Sequence, residues 1–205
     1  MIKLHHLNQS RSQRILWLLE ELSVDYEIIR YQRQAKDSLA PPELKEVHPL
    51  GKSPVIEFEG KVMAESGAIT QFLIDRFAPD RLAPPSGSAS WFDYLYWISF
   101  AESSAMIPLL LQLFIHKDGA ETNFIHLYAQ DEVNKVLSHL DQSLEGKRYL
   151  VDDRLTGADM MVSFVVDVLK RREILGKYPN IERYSHTLSE HESYQKAIAI
   201  EAQNS

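Results

Sequence analysis

Residues 48–63 read His48-Pro49-Leu50-Gly51-Lys52-Ser53-Pro54-Val55-Ile56-Glu57-Phe58-Glu59-Gly60-Lys61-Val62-Met63. Two short β-rich runs, Val55 to Phe58 and Lys61 to Met63, flank Glu59-Gly60. Two turn residues ending in glycine between such runs predict a tight hairpin. Pro54 stands at the start of the first run, one of the few strand positions where a proline is tolerated.

Working back towards the N-terminus, Tyr26 to Tyr31 is β-rich and Ile2 to Leu7 reads as another strand. Between them, Ile15, Leu16, Leu18, Leu19 and Leu22 fall at helical spacing, which predicts a helix over 12–22. Pro42 to Val47 reads as a short helix with proline at its start. After the hairpin, Ile69, Phe72, Leu73 and Phe77 mark a helix over 66–77. Two strands joined by a helix imply a parallel pair with a right-handed crossover. Adding the hairpin gives a mixed four-stranded sheet, the thioredoxin-like arrangement.

The character then changes. Residues 79–89 hold Pro79, Pro84, Pro85 and Gly87 among serines, and read as a linker. Everything beyond reads as helix: one from Ser90, capped with Asp93, running towards Leu113; one over 122–144; one over 156–169; and shorter ones after Pro179 and from Ser193 to Ala202. The expected fold class is therefore α+β with two domains. A thioredoxin-like domain spans 1–78, the linker 79–89, and an all-α helical bundle 90–205.

Composition narrows the function. The 205 residues are 44% hydrophobic and 25% charged, with a net charge of −7. No basic cluster offsets the acidic balance, so no nucleic-acid partner is expected. With no cysteine in the chain, disulfides, Cys-ligated zinc and a protein thiol nucleophile are excluded. Any thiol chemistry must use a thiol brought by a ligand. Residues 1–9 lack the apolar core of a signal peptide. The longest apolar stretch, Met106 to Ile115, is too short to span a bilayer and contains Pro108 and Gln112. A cytoplasmic location and no membrane span are the expectations.

Three motifs carry chemistry. Ser10-Arg11-Ser12-Gln13-Arg14 lies between the first strand and first helix. Helix N-termini favour anions, and a hydroxyl donating to sulfur favours thiolate over thiol; equally, Ser10 reads as a helix cap. In the second motif, Lys52-Ser53-Pro54, a cis Ser53-Pro54 bond would leave the Ser53 backbone free for a peptide ligand, beside the Lys52 charge; it also reads as a tight turn. In the third, Glu65-Ser66 opens a helix. Its N–H groups suit a carboxylate and Glu65 suits an ammonium, while Ser66 also reads as a plain N-cap.

Taken together in this order, the three motifs resemble the soluble glutathione transferase superfamily, and the resemblance spans essentially the whole chain. Arg14-Ile15-Leu16-Trp17-Leu18-Leu19, Pro41-Pro42-Glu43-Leu44-Lys45 and the 48–54 string look most like a fungal and bacterial subgroup, whose best-known member is a yeast transferase of the endoplasmic reticulum. The resemblance implies a catalytic hydroxyl at Ser10, four positions before Arg14, with Ser12 as the competing hydroxyl. It implies glutathione binding by Ser10, Arg11, Lys52, Ser53 (through its main chain), Pro54, Glu65 and Ser66. A second residue for the glycine carboxylate is not matched; Gln32, Arg33 and Lys36 all lie in the plausible loop. It also implies a homodimer and a detoxifying conjugation of glutathione to small hydrophobic electrophiles, with glutathione as co-substrate and no cofactor. The strand-one loop holds neither tyrosine nor cysteine, which sets the chain apart from the tyrosine-type class and the cysteine-based reductase and lyase branches of that superfamily.

Tyr94, Glu102 and Ser103 are the candidates for the hydrophobic-substrate site, expected in a cleft between the domains; a carboxylate in the apolar segment around Glu102 needs a reason. Thr156-Gly157-Ala158-Asp159 reads as a structural capping box. His5 and His6 are adjacent on a strand and face opposite sides, a poor metal pair, and no metal is expected. Glutathione-dependent peroxidase or isomerase activity, and a non-catalytic ligand-binding role, are the rival readings.

Overall fold

The computed structural model describes residues 1–119 and 121–203. Four strands, β1 (Ile2–Leu7), β2 (Tyr26–Tyr31), β3 (Val55–Phe58) and β4 (Lys61–Ala64), form one sheet in the order β2-β1-β3-β4. β1 runs parallel to β2, pairing Leu4 with Ile28, and antiparallel to β3, pairing Leu4 with Ile56. β3 and β4 form the expected hairpin. Its turn residues Glu59 and Gly60 have φ of 50° and 75°, the positive pair that matches the twist of a two-residue hairpin.

Helix α1 (Ser12–Leu22) joins the parallel strands and buries Ile15, Leu16, Trp17, Leu18 and Leu19. The short α2 (Leu44–Val47) precedes β3, and α3 (Ser66–Phe77) follows β4 and packs against α1. Within the stretch read as a linker, Pro79–Leu82 forms a short helix, α4, because Pro79 is preorganised for a first turn.

The next helix differs from its reading. α5 (Ala89–Phe100) passes through a π-helical turn, Ala101–Met106, into α6 (Ile107–Asp118). Its cap is Ser88, whose hydroxyl accepts from Trp91 N–H; Ser90 instead donates to Asp152. By length and composition Ala89–Asp118 is apolar enough to cross a bilayer, which Met106 to Ile115 alone is not. It packs instead against α8 (Gly157–Arg171), the buried central helix, and against α7 (Ile125–Ser143). The chain closes with α9 (Pro179–Ser189) and α10 (Glu192–Ala202).

The capping box at α8 forms as read. Asp159 Oδ2 accepts from Thr156 N–H and Oγ1 at 2.8 and 3.0 Å, while Oδ1 accepts from Leu150 N–H and Tyr184 Oη at 3.0 and 2.8 Å.

The compact units differ from the expected division. One comprises Met1–Ala83 together with the chain from Leu188 onward, and the other Pro84–Thr187. The reason is α10, which packs against α1. Trp17 Nε1 donates to Ser193 Oγ at 3.0 Å, and its ring meets Tyr194 edge-on at 5.0 Å. Helical periodicity shows that α10 is a helix, but not which core receives it.

Candidate functional site

The site begins at the C-terminal end of β1. The Leu7 carbonyl accepts the Ser10 hydroxyl at 2.8 Å, and the Leu7 N–H donates to Ser53 Oγ at 3.1 Å. One residue of the central strand thus ties the first motif to the second. Ser53 Oγ also donates to the His5 carbonyl at 2.8 Å, so its hydroxyl is engaged within the fold. The Ser53-Pro54 bond is cis and Pro54 is buried. Lys52 beside it is exposed.

At the opening of α1 the cap position is Arg11, half-buried, not Ser10. Ser10 Oγ still accepts the Ser12 N–H at 3.2 Å, so it satisfies one of the orphan donors of the first turn. The two candidate hydroxyls differ in their surroundings. Ser10 is 5% exposed and Ser12 is 0% exposed. Ser12 Oγ lies 2.8 Å from His6 Nδ1 inside the core, whereas Ser10 gives its hydrogen to a backbone carbonyl.

The third motif joins the first through Arg14. This guanidinium is fully buried and donates from Nη1 to Ser66 Oγ at 3.2 Å. Ser66 is the first residue of α3, not its cap; the cap position is Glu65, exposed, with φ 72° and ψ 107°. A non-glycine residue held at such angles stores strain of about 1–3 kcal/mol and is typical of ligand sites. The strained peptide brings the backbone into α3 with its first N–H groups at the helix end, where a carboxylate is favoured.

Of the candidates for a second carboxylate contact, Arg33 is committed elsewhere. It donates from Nε to Asn8 O at 3.1 Å, from Nη2 to Gln9 O at 3.1 Å and from Nη1 to Ser38 O at 2.9 Å. Arg33 is a clamp on the 8–10 turn. Gln32 and Lys36 are exposed, Lys36 standing 3.8 Å from Asp37.

In the helical unit, Tyr94 is a core side chain, 1% exposed and stacked on Trp91, and burial drives its phenol above the ordinary range. That removes it from the substrate-lining set. Its place on the buried stripe of α5, beside Trp97 and Ile98, is the cause. Glu102 is half-buried and Ser103 exposed, both within the π-helical turn, and Ser103 Oγ donates to Ser99 O at 2.8 Å. π-helical turns recur at functional sites.

Sequence reasoning gave His6, Arg14 and Glu201 no role in the site. Arg14 carries the one legible signal, a charge among residues that all face the core. His5 and His6 do point apart: His5 bonds Tyr31 and Glu57, His6 bonds Ser12 and meets Glu201.

The candidate residues thus sit on a thioredoxin-like sheet whose first helix opens on a hydroxyl-bearing turn, with a helical unit following in the chain. Residues 1–75 match the family "Glutathione S-transferase, N-terminal domain", and residues 104–192 match "Glutathione S-transferase, C-terminal domain". The chain is 31% identical to glutathione S-transferase 1 of Saccharomyces cerevisiae over 95% of this chain and 92% of that protein. The crystal structure of a glutathione S-transferase from Actinobacillus pleuropneumoniae superimposes with a TM-score of 0.90 at 37% identity, covering 98% of this chain and 93% of that one. A glutathione transferase homolog from Lodderomyces elongisporus, solved with two GSH per subunit, shares the fold at a TM-score of 0.83 and 22% identity, covering 97% and 98%. The chain belongs to the glutathione S-transferase family.

Proposed function

We propose that the protein binds glutathione across the 10–12 turn, residues 52–54 and the start of α3, and transfers its thiolate to small hydrophobic electrophiles, with the Ser10 hydroxyl donating to the sulfur. The observation that carries this reading is the Leu7 residue, which holds Ser10 and Ser53 at its two backbone groups. A ligand whose cysteinyl backbone pairs with Ser53 would present its sulfur near Ser10. Lys52 supplies charge for the glycine carboxylate, and Glu65 and Ser66 supply the ammonium and carboxylate contacts of the γ-glutamyl end. Family membership supports glutathione as the ligand, and the Lodderomyces homolog of the same fold was solved with two GSH per subunit.

Ser10 is favoured over Ser12 by what each hydrogen bond would cost to redirect. Turning the Ser10 hydrogen from the Leu7 carbonyl to a thiolate exchanges a neutral hydrogen bond for a charge-assisted one, which is roughly twice as strong. Ser10 Oγ keeps the Ser12 N–H throughout. Ser12, facing His6 in the core, would have to break a buried pair.

Calorimetry with glutathione, followed by turnover with a chlorodinitrobenzene acceptor and with cumene hydroperoxide, tests the proposal. Binding with conjugation supports it. Binding with peroxide reduction alone, or with no turnover, would move the reading to one of its rivals. A homodimer also belongs to this proposal, supported by large apolar side chains that the helical unit leaves in solvent, Phe92 at 76% and Phe124 at 74% exposed.

A further inference from the structure

The last turn of α10 ends at the turn that carries Ser10. Glu201 is buried, at 6% exposure, and its Oε1 accepts the Gln9 N–H at 2.6 Å. Its Oε2 lies close against His6 Nε2. The other ring nitrogen, Nδ1, faces Ser12 Oγ at 2.8 Å. One carboxylate from the far end of the chain therefore touches residue 9 directly and Ser12 through His6.

Gln9 needs that support. It immediately precedes Ser10 and has φ of 50°, a left-handed conformation unfavourable for a residue with a side chain. Its N–H is held by Glu201 and its carbonyl by Arg33 Nη2. The two anchors fix the peptide groups on either side of Gln9, and with them the direction in which the chain enters Ser10.

A buried carboxylate is a costly way to fill space, since an apolar side chain of the same volume often serves stability as well or better. Here it lies against the backbone of the proposed catalytic turn. We infer that Glu201 is a positioning residue of the thiol site, so that α10 acts on the reaction without touching the substrate. This inference rests on the function proposed above.

The test compares wild type with Glu201→Met and Glu201→Gln, scored per folded molecule at a temperature well below unfolding. Methionine keeps the volume and removes the acceptor; glutamine keeps an acceptor for the Gln9 N–H. The expected result for Glu201→Met is a fall in kcat of roughly tenfold, with a weaker ultraviolet signal from bound thiolate and a glutathione KM within threefold of wild type, because Lys52, Glu65 and Ser66 are untouched. Glu201→Gln should recover at least a third of wild-type kcat. A Met variant with wild-type kcat and thiolate signal, or two variants that both fail to fold, would overturn the inference and reduce Glu201 to a stabilising contact. If wild type itself neither binds nor turns over glutathione, the proposed function fails and takes this inference with it.

Discussion

Arg14, wholly buried in the first helix, donates from its guanidinium to the hydroxyl of Ser66 at the start of α3, 3.2 Å away. The pair locks two helix N-termini together. Replacing Arg14 with methionine keeps much of the buried stem and removes the donor. Hydrogen bonds to charged groups contribute about 1.5–3 kcal/mol, and relief of the buried charge offsets part of that, so stability to urea should fall by less than that amount. Glutathione binding, measured by calorimetry, should weaken at the same time because Ser66 is no longer held. Arg14→Lys should not restore it, since an ammonium lacks the planar fork.

Asp159 collects four donors on two oxygens, and Asp159→Asn turns an amide NH2 against some of them. Each buried donor left without an acceptor costs about 1–3 kcal/mol, a loss that denaturant unfolding would register. The pH dependence has a definite sign. Burial raises the Asp159 carboxyl to about 6, against the opposing pull of its donors. The unfolded chain titrates near 3.9, so between these values the folded state holds a proton that the unfolded state has released. Its stability contribution is complete below about pH 4 and is lost as pH rises towards 6. The Asn variant should lack that slope.

Glu59 occupies a left-handed position in the hairpin turn, with φ of 50°. Asparagine is far better suited to that site. Glu59→Asn should raise stability by about 0.5–1 kcal/mol, read as a higher denaturation midpoint with an unchanged slope.

If the exposed aromatic residues of the helical unit form a homodimer contact, Phe92→Asp should shift the sedimentation of the protein from dimer to monomer. Unchanged sedimentation would place the contact elsewhere.

The elements were largely legible because their causes are local. The spacing of Ile15, Leu16, Leu18 and Leu19 is enough to define α1, and Glu59-Gly60 is enough to define the hairpin. The box at Thr156 and Asp159 likewise lies within one turn. What escaped depends on contacts between distant residues. No pattern around Glu201 announces that its carboxylate will meet Gln9, and no spacing tells Ser88 from Ser90 as the cap of α5. Tyr94 read as a cleft residue because its polar tip is visible in the sequence while its burial against α5's neighbours is not. The three motifs could be named in order; the Leu7 and Arg14 links that join them could not.

The central claim is that the Ser10 hydroxyl keeps the glutathione sulfur ionised. Its most direct test is an ultraviolet titration of the thiolate in bound glutathione for wild type, Ser10→Ala and Ser12→Ala. A wild-type pKa well below the ordinary thiol value, raised by one to two units (about 1.5–3 kcal/mol) in Ser10→Ala alone, is the predicted result. An unchanged titration in Ser10→Ala, with the shift appearing in Ser12→Ala, would contradict it.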